Sequence, residues 1–376
     1  MNIKREIEKQ IKNKLLPGKV LLLFGTRRVG KTFLMNQIIK SLKGESLVLN
    51  GEDLEVQEIL NRRTIQNYKN LIGNKKYLFI DEAQHIPEIG KKLKLMIDEL
   101  KNLRILVTGS SSFDLSNLSG EPLTGRKMTF MLYPFSEREI SKNENLIGRK
   151  DNLMQRLVFG NYPEVYKLKN ENDKIDYLKE LVNSYLLKDI LQFEGIKNSS
   201  VIFNLLKLIS YQVGSFVSYE ELGKQLNISK NTVNRYLDLL SKSFIIYKLN
   251  GFSRNLRKEI TKSPKWYFYD NGIRNAIIAN FSRFELRDDI GKIWENYLVG
   301  ERIKFQNYSR MVVNNYFWRT YDKQEIDWIE ERDGKLFAFE FKWKEQKRKI
   351  PAAWIKNYPD SNYELISNDN YMDFLS

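Results

Sequence analysis

Short apolar runs punctuate the first third of the chain, and each ends in a polar or glycine-containing turn. They are Val20–Phe24, Ser46–Asn50, Lys76–Ile80, Leu103–Val107 and Lys127–Leu132. Runs of this length with little polar alternation predict strands buried on both faces. Between them the rhythm changes. Phe33 to Ile39 has helical periodicity, mixed helical sequence reaches about Gly73, and Ile3, Ile7, Ile11 and Leu15 mark a charged helix at the start. Strands alternating with helices predict a parallel sheet that places its ligand at the C-terminal strand ends.

The pattern then shifts to helices. Lys169 to Asp176 is polar and suits a linker, and Tyr177–Phe193 and Val201–Tyr211 read as helices whose apolar faces are core. Ser218 and Glu221 have capping-box spacing at the start of a helix ending near Leu226-Asn227-Ile228. Ser229 opens a second helix with Val233, Tyr236, Leu237 and Leu240 on one face. A strand at Phe244–Leu249, basic residues Arg254, Arg257, Lys258, Lys262 and Lys265, and a strand at Trp266–Tyr269 follow. Two helices, a tight turn and a two-stranded ribbon predict a winged helix-turn-helix. The tail reads as a helix over Asp289–Ile303 carrying Glu295 and Glu301. A strand at Tyr316–Thr320 follows, then a hairpin of Gln324–Ile329 and Leu336–Phe341 turned at Asp333-Gly334.

The first apolar run leads into chemistry. Gly25-Thr26-Arg27-Arg28-Val29-Gly30-Lys31-Thr32, followed by Phe33, is G-x-x-x-x-G-K-[ST] between a strand and a helix, the context of a phosphate-binding loop. Glycines allow close backbone approach, and successive N–H groups at a helix N-terminus face a polyphosphate. Lys31 then reaches the β and γ phosphates, and the Thr32 hydroxyl ligates Mg2+. Lys76–Ile80 delivers Asp81 and Glu82, which read as a Walker B pair: Asp81 for Mg2+ and Glu82 to deprotonate the attacking water. Thr108-Gly109-Ser110 ends the next strand. Ser110, with Thr108 second, is the candidate sensor of the γ phosphate; a serine-rich turn is the plain alternative. Arg126 is a candidate for transition-state charge stabilisation, in cis or from a neighbouring subunit, which makes a homo-oligomer one expected partner state. His85 reads as a turn histidine, with neither a second ligand nor a base partner nearby in sequence.

Composition narrows the field. The 376 residues suffice for two or three domains, 42% are hydrophobic, and no run approaches a membrane span, so a cytoplasmic protein is expected. The absence of cysteine excludes disulfides and thiolate zinc sites, and a single histidine argues against a His-based metal cluster or a Ser-His-Asp triad. The formal charge of +15 favours an anionic partner such as DNA or other nucleic acid; solvated lysines in a Lys-rich composition are the alternative.

The runs GTRRVGKT, LFIDEAQHIPEIGKKLKLMID, VTGSSS, LTGRKMTFMLYPFSERE and GNYPEVY together resemble a bacterial and archaeal AAA-type ATPase family. That family joins its ATPase module to a C-terminal domain of unknown function. The resemblance covers nearly the whole chain. It implies an additional-strand, catalytic-glutamate α/β domain with sheet order 5-1-4-3-2, and it places Gln84 and Arg126 near nucleotide or a subunit interface. The expected organisation is an AAA-type P-loop domain over 1–168, a helical linker and winged helix over 169–285, and a PD-(D/E)xK nuclease-like α/β domain over 286–376.

In the tail hairpin Asp327 lies on one strand, with Glu340 and Lys342 two apart on the other and so on one face. Strand, Asp, turn, strand with E-x-K resembles the PD-(D/E)xK nuclease core. There Asp327 and Glu340 would bind Mg2+, Lys342 would position water, and Glu295 would complete the site. Spacing alone favours a solvated hairpin face, and it is the resemblance that tips the reading to the nuclease-like fold. In the winged helix, Lys230, Asn231, Asn234 and Arg235 are the candidate DNA-reading positions, with the basic wing on phosphate; a protein-docking winged helix is the alternative. The expectation is an Mg2+-dependent ATPase acting on or with nucleic acid. A switch ATPase with an inactive, protein-binding tail and an ATP-gated nuclease are the alternatives.

Overall fold

The structure, a computed structural model, describes residues 3–110, 123–186, 199–253, 263–347 and 349–376. The chain separates into two units: Met1–Phe135 with Lys242–Phe244, and Ser136–Ser241 with Ile245–Ser376. The sequence boundary at residue 168 differs from the end of the first unit because 136–168 packs within the second. There Asn275 Nδ2 donates to the carbonyls of Leu157 and Val158 at 3.2 and 2.7 Å, closing the end of helix Leu146–Phe159.

In the first unit, β1 (Val20–Phe24), β2 (Ser46–Asn50), β3 (Tyr77–Asp81), β4 (Arg104–Gly109) and β5 (Lys127–Met131) form one sheet in the order β2-β3-β4-β1-β5. Every pairing is parallel. This is the order 5-1-4-3-2 that the resemblance implies. All five residues of β1 are buried, because it lies between β4 and β5 with both faces covered. Alternate side chains of β1, Val20, Leu22 and Phe24, join Ile80, Ile105 and Val107 and the apolar face of helix Ile89–Glu99 (Leu93, Met96, Ile97) in one core cluster. The sequence between β2 and β3 resolves into helices Leu54–Asn61 and Ile65–Ile72, whose first turns are capped by the Asp53 and Thr64 side chains. The N-terminal helix Ile7–Lys14 buries Ile7 and Ile11, as its spacing predicts.

The second unit carries β6 (Ile246–Gly251), β7 (Lys265–Phe268), β8 (Asn314–Arg319), β9 (Glu325–Arg332), β10 (Lys335–Phe341) and β11 (Asn362–Ile366). They form one sheet in the order β11-β10-β9-β8-β6-β7. The ribbon β6/β7 is therefore continuous with the tail sheet: Asn250 and Gly251 pair in parallel with Tyr316 and Phe317 of β8. Helix Ile290–Ser309 supplies the longest buried face. The helix expected over Tyr177–Phe193 is an α-helix over Glu171–Glu180 running into a π segment, Leu181–Leu186; its last seven positions lie outside the described residues. Phe339 and Phe341 are core, with ring centroids 4.8 and 5.5 Å from Phe374. No helix among the described residues is long and apolar enough to cross a membrane.

Buried charge holds this second unit together. The Arg156 guanidinium meets Glu137 at 2.8 Å and Glu144 at 2.8 Å; Arg156 and Glu137 are buried and Glu144 is partly so. Glu137 also accepts from the hydroxyls of Tyr297 and Tyr371. Its backbone N–H donates to Glu301 at 2.6 Å, and Glu301 accepts from Asn161 Nδ2 at 3.0 Å. Removing one partner of such a cluster strands its buried counter-charges. Arg156→Met should destabilise the unit by about 3–5 kcal/mol in a urea titration, and a loss within experimental error would contradict the role given to the pair.

Candidate nucleotide site and tail carboxylate cluster

The C-terminal ends of β1, β2, β3 and β4 converge on one edge of the parallel sheet. The phosphate loop leaves β1 there. Gly25 is forced by space, since a Cβ would lie 2.2 Å from the Leu132 carbonyl oxygen. Gly30 is forced by conformation, with φ +93° immediately before helix Lys31–Ser41. Lys31 is buried and its ammonium donates to the Gly25 and Thr26 carbonyls at 2.9 and 3.1 Å, drawing the loop into a cradle. Thr32 and Phe33 open onto solvent at the helix start, while Thr26 and Val29 are buried.

Asp81 fixes the opposite wall. Its Oδ2 accepts from Thr32 Oγ1 at 2.7 Å and its Oδ1 accepts from Thr108 Oγ1. Thr108 in turn accepts from the Glu82 backbone N–H at 3.2 Å. Glu82 sits in the left-handed region, φ 48°, a sparsely populated conformation for a non-glycine residue that is held by its surroundings. Gln84 donates to the Glu82 carboxylate at 2.5 Å and accepts from the Ser110 backbone N–H at 3.4 Å. The structure thus brings Lys31, Thr32, Asp81, Glu82 and Ser110 to one edge. A threonine hydroxyl beside a carboxylate is a hard-oxygen donor pair of the kind Mg2+ takes, so these residues fit that ion.

Arg126 stands apart. It precedes β5, whose first residue, Lys127, pairs with Val20 at the start of β1. The loop follows Phe24 at the other end, about 13 Å away at roughly 3.3 Å per residue. Arg126 instead ion-pairs with Asp98 of helix Ile89–Glu99. A role in cis at this loop is contradicted by the parallel register.

Two contributors escaped the sequence reading, and a third was ranked too low. Arg5 is buried and donates to the Val29 carbonyl at 3.0 Å and the Tyr133 carbonyl at 2.5 Å, so it braces the loop from outside the motif. Gly51 lies so close to β3 that a Cβ would be 2.4 Å from the Glu82 carbonyl oxygen. Thr108, ranked behind Ser110, makes the side-chain contacts to Asp81 and Glu82. Gly51 follows an apolar run, a signal that was available; Arg5 gives none.

In the second unit, Lys230, Asn231, Asn234 and Arg235 are exposed along helix Lys230–Lys242, opposite its buried Val233, Tyr236, Leu237 and Leu240. Lys230 pairs with Glu220 at 3.1 Å, and Arg235 lies 5.4 Å from the Tyr236 ring centroid. The turn before this helix is tight: a Cβ on Gly223 would lie 2.6 Å from the Ile228 carbonyl oxygen. Arg254, Arg257, Lys258 and Lys262 lie outside the described residues. Lys265 does not lie on a basic wing facing phosphate. It is 2% exposed and paired with Glu325 at 2.5 Å, because β7 is incorporated into the sheet.

The four tail residues are electrostatic neighbours. Asp327 accepts from the Phe341 backbone N–H at 2.9 Å, and Lys342 donates to Glu340 at 2.6 Å. Glu295 accepts from Tyr267 Oη at 2.7 Å and faces Lys265 at 3.5 Å. Burial, with the Asp327 charge adding, pushes the Glu340 carboxyl up to about 7. Burial also pushes Glu295 up to about 7, against the opposing pull of Lys265. Lys342 is raised because Glu340, Asp327 and Glu295 outweigh its own desolvation.

Comparisons with known proteins divide the chain in three. Residues 17–141 match the AAA domain family, 150–283 a domain of unknown function (DUF8612) and 290–368 another (DUF4143). An uncharacterised protein of Methanocaldococcus jannaschii is 27% identical over 97% of this chain and 88% of its own. One of Mycobacterium tuberculosis is 25% identical over 90% of this chain and 74% of its own. Among solved structures, a Thermotoga maritima RuvB mutant is similar at TM-score 0.31 and 18% identity, covering 66% of this chain and 88% of that one. A replication initiator DnaA bound to AMPPCP and single-stranded DNA is similar at 0.27 and 16%, covering 63% and 86%. Scores this low support no further reading. The parallel sheet and the AAA match support an AAA-type P-loop domain over residues 17–141, about a third of the chain.

The tail cluster has a pH signature. A carboxyl raised from 4.5 to about 7 holds its proton in the folded state where the unfolded chain has lost it. Its contribution is therefore complete below the unfolded value and lost as pH rises through about 7. Melting temperature should fall between about pH 5 and pH 8, and Glu340→Gln should flatten that fall. Parallel curves for the two proteins would contradict it.

Proposed function

We propose that this chain is an Mg2+-dependent ATPase whose hydrolysis serves an action on nucleic acid through its second unit. The observation that carries the reading is the linked array at the sheet edge, in which Asp81 accepts from both Thr32 and Thr108 while Glu82 is held beside it. The loop N–H groups and Lys31 would take the polyphosphate of ATP, with Thr26 to Phe33 wrapping it. Thr32 and Asp81 would hold Mg2+, which supplies charge neutralisation at the β and γ phosphates. Glu82 would accept the proton of the attacking water, its carboxylate aimed by Gln84. Ser110 and Thr108 would report the γ phosphate to the strand ends. Arg126, if it acts on phosphate, would act on that of a neighbouring subunit.

Nucleic acid enters through charge and geometry. The +15 balance and the exposed Lys230, Asn231, Asn234 and Arg235, at the start of the second helix of a helix-turn-helix pair, suit a duplex groove. The second reading, a switch ATPase with a protein-binding tail, is favoured by one observation: the ribbon expected to be a free wing is built into a six-stranded sheet.

An ATPase assay with and without double- and single-stranded DNA and RNA separates the two. The nucleic-acid reading expects stimulation that Lys31→Ala abolishes and that Lys230→Ala/Arg235→Ala reduces, with binding falling steeply in salt. Nucleotide turnover without stimulation or binding at low salt would leave the switch reading standing.

A further inference from the structure

A divalent-metal nuclease of the kind the tail resembles needs carboxylates with oxygens left to converge on an ion. Mg2+ demands near-octahedral oxygen ligation and dehydrates reluctantly. Here one oxygen of each carboxylate is already engaged, while Glu340 Oε2 is buried without a hydrogen-bond partner among the described residues. Asp327 Oδ2 takes the Phe341 N–H, Glu340 Oε1 takes Lys342, and Glu295 Oε1 takes Tyr267 and faces Lys265. Among the described residues no group of three acidic, histidine or cysteine side chains is arranged to hold a metal. The four residues read from sequence do not, as they stand, fit the ion.

A cation is nevertheless present in the cluster. Lys265 sits at the start of β7, where Leu249 of β6 and Phe216 pair with its backbone. Its ammonium is 2.5 Å from Glu325 Oε1 and 3.5 Å from Glu295 Oε1. The rings of Phe216 and Phe317 lie 5.6 Å from it and exclude water while favouring a positive charge. Asp327 adds its field, and the surrounding carboxylates more than offset the desolvation of the amine, which stays charged. Lys265 is thus a buried ammonium inside an acidic pocket of Glu295, Glu325 and Asp327, with Glu340 beside it.

We infer that Lys265 is the built-in cation of the tail cluster: its ammonium supplies the positive charge that a divalent ion supplies in a metal-dependent nuclease, and it closes the cluster to such ions. The tail then keeps the acidic constellation without metal-dependent phosphodiester cleavage. This inference does not rest on the ATPase reading, and its test uses no nucleotide.

The probe is Mn2+ alone, with free ion counted by electron paramagnetic resonance in wild type, Asp327→Asn and Lys265→Met. Any ion held at the Thr32–Asp81 edge is common to all three and cancels. Wild type and Asp327→Asn should bind equal Mn2+. Lys265→Met should bind one further ion at least about tenfold more tightly than wild type binds any beyond the shared one, and Lys265→Met/Asp327→Asn should lose it. Wild-type binding that Asp327→Asn removes would overturn the inference, as would a folded Lys265→Met that gains no ion. The first comparison needs no Lys265 variant, so misfolding of that variant leaves the inference open to refutation.

Discussion

Asp81 accepts hydrogen bonds from the hydroxyls of two threonines that come from different elements, Thr32 at the start of helix Lys31–Ser41 and Thr108 at the end of β4. Neither contact could form if β1, β3 and β4 did not end at the same level, and the parallel registers Leu23 with Thr108 and Ile80 with Val107 place them there. One carboxylate therefore sets the spacing between the loop that would cradle phosphate and the strand ends that would respond to it. Gly25, Gly30 and Gly51 let backbone approach where a side chain would collide or a right-handed residue would strain. Arg5 and Lys31 then hold the loop from its two sides.

The second unit rests on a different principle. Its centre contains charges that apolar packing alone would exclude, and each is neutralised by a partner distant in sequence: Arg156 by Glu137, Arg302 by Glu330, Lys265 by Glu295 and Glu325. Buried pairs of this kind add little net stability over apolar residues but penalise any arrangement that separates them. The pairing of β6 with β8 has the same effect on the ribbon, because it commits Lys265 to the interior. A hairpin free in solvent would have left that lysine on the surface.

What the sequence disclosed follows local physics. The phosphate loop is visible because glycine, lysine and threonine must stand at fixed offsets between a strand and a helix. The order of the parallel strands was implied by resemblance and appears in the registers. Thr108 was undervalued because its contacts to Asp81 and Glu82 span 27 and 26 residues, and no local pattern records them. Arg126 could not be placed without knowing which end of β5 faces the loop. Lys265 read as one more basic residue near a turn; only the tertiary pairing of β6 with β8 makes it a buried cation. Asp327, Glu340 and Lys342 were legible from hairpin alternation, whereas the engagement of Asp327 by the Phe341 N–H, and of Glu295 by Tyr267 and Lys265, was not.

The edge built around Asp81 would hydrolyse the nucleotide it binds, with Glu82 as the base. Single-turnover cleavage of γ-labelled ATP by wild type and Glu82→Gln measures this directly. ATP affinity should be unchanged in the variant while cleavage slows by about 100-fold or more; equal cleavage rates in the two proteins would contradict the assignment.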